Sequence, residues 1–236
     1  MRAAVVVFPG SNADAEMVRT LRDICGVETR VVWHTATALP DRTDLVAIPG
    51  GFSYGDYLRC GAIAKVSPVL PAIVRHAKRG GAVLGVCNGF QILTEVGLLP
   101  GALTRNRGLR FECRDVHVKV QGEGPFTPRL GDVWRLPIAH AEGRYQASDE
   151  VLRGLDGEGR IGLVYSTPDG HVTDEANPNG SIRAIAGIYG RGDGRGDGTG
   201  AKNNIFGLMP HPERMSEAIT GGADGRKLFD AVLAAV

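Results

Sequence analysis

The sequence predicts an α/β fold with a mostly parallel central sheet, helices on both faces of it, and an antiparallel strand extension. Three observations predict it. Short Val-rich apolar runs end at Pro-Gly or Gly-Gly breaks, as strands buried on both faces do. Up to residue 99 these runs alternate with segments of helical apolar spacing, which argues for parallel strands joined by crossovers. Beyond residue 110 the apolar period falls to two, the pattern of antiparallel strands. With 43% apolar residues among 236, the chain can bury a sizeable core, and its length suits one domain over residues 1–236.

The first element is AAVVVFPG, a Val-rich strand that breaks at Pro9-Gly10. Met17, Leu21 and Ile24 then mark a helix closed by Gly26. TRVVWH and LVAIPGG read as two further strands, the second ending at the kind of strand edge where α/β ligands sit. Ser67 and Pro68 look like an N-cap and a first helical Pro, opening a helix through Ala77 that stops at Gly80-Gly81. AVLGV is a strand and NGFQILTEVG a helix. RFECRDVHVKVQ, DVWRLPIAH, IGLVYS, SIRAIAGIYG and NIFGLMPH supply later strands, and Leu228, Val232 and Val236 stripe a C-terminal helix. Residues 190–203, GRGDGRGDGTGAKN, carry no apolar anchor and read as a flexible surface loop. Its Arg-Gly-Asp triplets are expected from composition alone.

Charge excludes more than it assigns. The 27 basic and 26 acidic side chains nearly cancel, so no bulk attraction to nucleic acid or an anionic membrane is expected. The start lacks the pattern of a signal peptide, and no apolar run approaches the roughly 20 residues that span a bilayer. Cys25, Cys60, Cys87 and Cys113 show no CxxC spacing, so reduced thiols and a cytoplasmic location are expected.

Three segments carry chemistry. In VLGVCNGFQ a strand delivers Cys87 into a Gly-containing turn that opens a helix, the geometry of a nucleophile elbow. The helix N-terminus places N–H groups and positive partial charge where an oxyanion would form. A free cysteine is otherwise a small buried hydrophobe. In LMPHPER, His211 lies between two prolines and Glu213 follows at i+2, the same side of an extended segment, so the carboxylate can orient the imidazole. A lone His-x-Glu pair is weak by itself. In PGGFSYGDYLRCGAIA, a Pro-Gly-Gly turn can present N–H groups to an anion, and Ser53, Tyr54, Asp56, Tyr57 and Arg59 crowd behind it. His140, beside Glu142, competes with His211 as a base, but the flanking prolines favour His211. His34, His76, His117 and His171 lack a second ligand at metal spacing, so no metal site is expected. No phosphate-binding GxxxxGK[ST] loop is present, so this chain is not expected to hydrolyse ATP itself.

Together these segments resemble the class I (triad-type) glutamine amidotransferases, a flavodoxin-like α/β family. FPGSNAD at 8–14, GGFSYGDYLRCGAIA at 50–64, VLGVCNGFQILTEVGLLPGAL at 83–103, AHAEGRY at 139–145, NPNGS at 177–181 and GLMPHPER at 207–214 carry the resemblance. The GGFSYGD and CNGFQ blocks match the branch that supplies ammonia to formylglycinamide ribonucleotide in de novo purine biosynthesis. The resemblance implies Cys87 as nucleophile, His211 as base and Glu213 as its partner. It further implies an oxyanion hole from Gly50, Gly51, Phe52 and the N–H of Asn88, with Gln91, Asn106 and Phe111 helping to hold L-glutamine. It implies no cofactor in this chain; a large synthetase subunit uses ATP and Mg2+, and a small subunit bridges the two. Ala13 stands where the family usually has Cys, and Ala141 where it usually has Gly. The Gly-rich loop before LMPHPER is longer than the family norm. Two alternatives are a Cys-dependent peptidase or stress protein on a related scaffold, and an inactive glutamine-binding regulatory subunit.

Overall fold

The computed structural model describes residues 1–192 and 203–235. Two compact units emerge: one from Met1–Leu99 with Gly190–Gly207, the other from Pro100–Tyr189 with Leu208–Ala235. The loop expected over 190–203 falls largely outside the described residues.

In the first unit the strands β1 (Arg2–Val7), β2 (Glu28–Trp33), β3 (Leu45–Ile48) and β4 (Ala82–Val86) are joined through α1 (Asp14–Arg19), α2 (Leu70–Lys78) and, after β4, α3 (Asn88–Glu95). Strand order is β2-β1-β3-β4 and every pairing is parallel. Burial follows position. All side chains of β3 and β4 are buried, as central parallel strands require, whereas edge strand β2 exposes Glu28, Arg30, Val31 and Trp33. The helix expected around Met17 and Leu21 is present, but its second half, Thr20–Ile24, widens into a π turn closed by the Cys25 N–H on the Thr20 carbonyl.

One expected boundary is corrected. Ser67 does not cap α2, which starts at Leu70 with Val69 at the cap position. The Ser67 hydroxyl is 2.9 Å from the Tyr54 hydroxyl, so a tertiary partner engages the group that would have capped the helix.

The second unit holds β5 (Ala102–Thr104), β6 (Glu112–Val120), β7 (Val133–His140), β8 (Arg144–Gln146), α4 (Asp149–Gly157), β9 (Ile161–Ser166) and β10 (Ile185–Gly190). Strands β10-β9-β6-β7 pair antiparallel, and β5 and β8 form a small antiparallel pair of their own. Trp134, Leu136, Tyr145, Leu155 and Tyr165 fill its core. The strands expected from the period-two pattern are all present, so the α/β class with an antiparallel extension holds. Helix α4 and the β5–β8 pair escaped the sequence reading. The signal for α4 was Ser148, whose hydroxyl accepts from the Val151 N–H ahead of Asp149 and Glu150. Strand β11 (Ile205–Leu208) and helix α5 (Arg226–Ala235) complete the chain, with Leu228, Phe229 and Val232 buried on α5. No described helix is long and apolar enough to cross a membrane.

Candidate active site

Cys87 occupies the junction of β4 and α3, with φ +50° and ψ −105°, a conformation that side-chain-bearing residues rarely adopt. Holding a residue there costs roughly 1–3 kcal/mol. The in-register pairing of β4 with β3 on one side, and the Gln91 N–H on the Cys87 carbonyl (3.1 Å) on the other, hold the bend. The sulfur-bearing residue is therefore placed by backbone at the positive end of α3. Its exposure of 4% keeps bulk water from the side chain.

The turn that follows β3 is fastened to the loop that follows β1. Gly50 accepts from the Asn12 and Ala13 N–H groups at 3.2 Å each, the Phe52 N–H donates to the Gly10 carbonyl at 2.8 Å, and the Tyr54 N–H donates to Pro9 at 2.6 Å. Only glycine fits at Gly51: its φ is +149°, and a Cβ would lie 2.6 Å from both the Gly10 oxygen and the Ser11 Cα. Tyr54, Asp56 and Leu58 also have positive φ, so this turn holds three strained residues close together. Asn88 ties it to α3. Its side-chain oxygen accepts from the Ser53 N–H (3.1 Å), and its amide donates to Gln91 Oε1 (2.8 Å) and Asp56 Oδ1 (3.3 Å). Arg59 forms a two-pronged pair with Glu95 at 2.6 and 2.7 Å, and Tyr54 reaches His34 Nδ1 at 2.8 Å. The crowded polar residues thus fasten the turn.

In the second unit, His211 Nδ1 lies 2.6 Å from Glu213 Oε1, and the two residues are 2% and 3% exposed. A carboxylate only accepts, so Nδ1 carries the proton and Nε2 is the basic nitrogen. The His211 N–H donates to the Pro137 carbonyl of β7 at 2.8 Å, which sets the height of the imidazole. The i, i+2 meeting arises otherwise than through an extended segment. Residues Pro212–Arg214 form a single 3-10 turn, with the Met215 N–H on the Pro212 carbonyl, and the turn brings the carboxylate back under the ring.

His140 is held by a separate network. Asn106 donates to the Arg110 and His140 carbonyls at 2.9 Å each, and its oxygen accepts from the Gly143 N–H (3.0 Å) and His140 Nδ1 (3.1 Å). Both donors and both lone pairs of the amide are engaged. Asn106, expected to hold glutamine, therefore spends its side chain on the protein. The same network fixes His140 with Nδ1 protonated. Burial first, and the neighbouring His211 second, lower the His140 pKa to about 4. A Cβ at Gly143 would sit 2.2 Å from the His140 ring, so glycine is required there. Ala141 carries no positive φ, so replacing the family's usual Gly imposes no strain. Glu142 reaches Arg105 at 3.8 Å, and it is Asn106 that orients the His140 ring. Phe111 is half-exposed just ahead of β6.

Of the expected site residues, Gly50, Gly51, Phe52, Cys87, Asn88 and Gln91 lie in the first unit, and Asn106, Phe111, His211 and Glu213 in the second. The residues the sequence reading left without a role are Asn179 and Ser181 of NPNGS. Asn179 donates to the Gly143 carbonyl (2.8 Å), and Ser181 bridges Asn179 Oδ1 (2.8 Å) and the Tyr145 N–H (3.0 Å). An Asn- and Ser-rich turn with no helix or hairpin to serve was the available signal. Among the described residues no group of three or more His, Cys, Asp or Glu side chains could hold a metal ion.

A family model described as a CobB/CobQ-like glutamine amidotransferase domain matches residues 1–224. The phosphoribosylformylglycinamidine synthase subunit PurQ of Bradyrhizobium diazoefficiens is 53% identical over 232 residues, covering 97% of this chain and 95% of that one. Its counterpart from Salinibacter ruber is 49% identical, covering 98% and 95%. Among solved structures, PurLQS from Thermotoga maritima is similar with a TM-score of 0.83 and 40% identity, over 99% of this chain and 98% of that one.

Proposed function

This chain belongs to the CobB/CobQ-like glutamine amidotransferase family, and from that premise we propose that it is the glutaminase subunit of a phosphoribosylformylglycinamidine synthase. The observation that carries the reading is Cys87 at φ +50° between β4 and α3, since a buried structural cysteine has no need of a strained elbow. Near-full coverage by relatives of that name supports the assignment to this synthase, and the match over residues 1–224 supports treating the chain as one amidotransferase domain.

In the proposed reaction the Cys87 thiol gives its proton to His211 Nε2, and the resulting thiolate attacks the side-chain carboxamide carbon of glutamine as the carbonyl π pair moves to oxygen. The N–H of Asn88 and those of the Gly50-Gly51-Phe52 turn receive the oxyanion. His211, held by Glu213, gives its proton to the leaving nitrogen as the C–N bond breaks, releasing ammonia and a glutamyl thioester. It then takes a proton from water, which adds to the thioester and frees glutamate and the thiolate. Gln91 and Phe111 are proposed to shape the glutamine pocket, and Asn106 to act by positioning His140 and Gly143. The ammonia passes to a large synthetase subunit that uses ATP and Mg2+, and a small subunit bridges the two.

The Phe52 N–H, bonded to the Gly10 carbonyl, must turn away from it to reach an oxyanion. That supports a subunit that is quiet alone and activated on docking. The test is covalent labelling by an electrophilic glutamine analogue, together with glutamine hydrolysis measured with and without the synthetase subunits. Label on Cys87 and not on Cys25, Cys60 or Cys113 is expected; label mainly elsewhere refutes the assignment.

A further inference from the structure

A cavity of about 410 Å3 lies between the β2–β3 connection and the C-terminal half of α2. Three guanidiniums line it: Arg42 from the connection, and Arg75 and Arg79 from α2 and its cap. None of the three makes an ion pair with a described residue. Asp41 is the one carboxylate in the lining, and His76 is kept toward its neutral form by burial. A chain with a net charge of +1 therefore gathers more than that charge in one concavity. A second cavity, about 260 Å3, offers a contrast, because its one arginine, Arg114, pairs with Glu112 at 3.4 Å and shares the lining with Asp115 and Glu175.

Basic residues in the last turn of a helix are ordinary complements to its dipole, which accounts for either Arg75 or Arg79 taken singly. It does not account for Arg42, which comes from another segment and is held at φ +55° without glycine. Nor does it account for Arg75 and Arg79 standing at i, i+4, where like charges repel. Three exposed arginines lining one cavity with a single carboxylate among them are a donor set for a multiply charged oxyanion, which guanidinium forks bind in pairs. The cavity volume falls within the range of small-molecule sites, and Leu39 and Pro40 add an apolar wall.

We propose that this cavity binds a phosphate-bearing small molecule of nucleotide size. The site is separate from the nucleophile. Gly81 belongs to its lining, and the five residues of β4 carry the chain from there to Cys87, roughly 20 Å along the strand. A ligand here leaves the glutamine chemistry to Cys87, so the proposal stands or falls apart from the proposed function.

The experiment is calorimetric titration of the full chain with AMP, inorganic phosphate and adenosine at low and high salt. AMP should bind saturably and more weakly as salt rises, phosphate should compete with it, and adenosine alone should not bind. Arg75→Ala with Arg79→Ala should weaken AMP at least about tenfold per guanidinium removed. Arg42→Gly should weaken it about tenfold while keeping or raising the melting temperature, because glycine accepts φ +55° without strain. That variant keeps the test decisive if the double substitution fails to fold. Equal binding of adenosine and AMP, unchanged affinity in a folded variant, or no saturable binding of AMP or phosphate overturns the proposal.

Discussion

The elbow of the first unit and the histidine network of the second prepare chemistry by opposite means. At the elbow, position is a backbone property: Cys87 is bent to φ +50° by the register of β4 and by α3, whatever its side chain bears. In the second unit, position is a side-chain property. His211 is set by a 2.6 Å bond to Glu213, and His140 by the fully engaged amide of Asn106. A backbone-built site should lose chemistry but keep its fold when a side chain is cut. A site held by side chains should lose stability as well when one of them is cut.

The sharpest way to break that contrast is at the nucleophile. Cys87→Ala should abolish glutamine hydrolysis and leave the melting temperature nearly unchanged, since Ala inherits the same strained φ. Cys87→Gly should be equally inactive yet more stable by about 1 kcal/mol, or ~2–4 °C, through relief of strain. Neither variant should affect a synthetase supplied with free ammonium. If Cys87→Gly melts lower than Cys87→Ala, the elbow stores no strain.

The base comes next. His211→Asn should cut glutaminase activity at least about 100-fold, the scale of a lost general acid–base group. His140→Asn should cost far less, because burial makes that ring a weak base and its Nδ1–H is spent on Asn106. Steady-state rates that reverse this order would exchange the two roles.

A third expectation concerns the turn that carries Phe52. Glutamine hydrolysis should rise at least about tenfold when the synthetase subunit, its substrate and ATP are added. One oxyanion donor is worth ~3–4 kcal/mol, ample for such a switch. Full activity in the isolated chain would mean that the Phe52 bond to Gly10 does not restrain catalysis.

The smallest effect is a pH slope. His140 has a folded-state pKa of about 4, below the ordinary value of 6.5. The folded state therefore binds fewer protons than the unfolded state between those limits. Stability should be full above pH 6.5 and decline as pH falls toward 4. The loss is about 2 kcal/mol between pH 7 and 5, assuming no other group titrates differently. Denaturation midpoints for wild type and His140→Asn should diverge over that window; parallel slopes would show that His140 is not the group responsible.

Which features were legible follows the same division. Parallel strands buried on both faces announce themselves as Val-rich runs, so β1, β3 and β4 could be read directly, as could the strand–Cys–Gly–helix order at Cys87. The short β5–β8 pair could not, because three residues are too few to show a period. Ser67 was misread because a serine before a proline looks like a cap wherever its hydroxyl is in fact engaged.

By itself, then, the sequence determined which residues carry reactive groups and which segments deliver them: Cys87 on a strand-to-helix turn, and His211 with Glu213 two positions on. These are local properties, set by residue type, period and turn chemistry. Tertiary structure alone decided that Asn106 serves His140 instead of facing outward, that the Phe52 N–H is bonded to Gly10, and that three arginines share one cavity. Each depends on a partner distant along the chain. Hydrogen-bond capacity and charge are properties of a residue, but what satisfies them is decided by which segments the fold brings together.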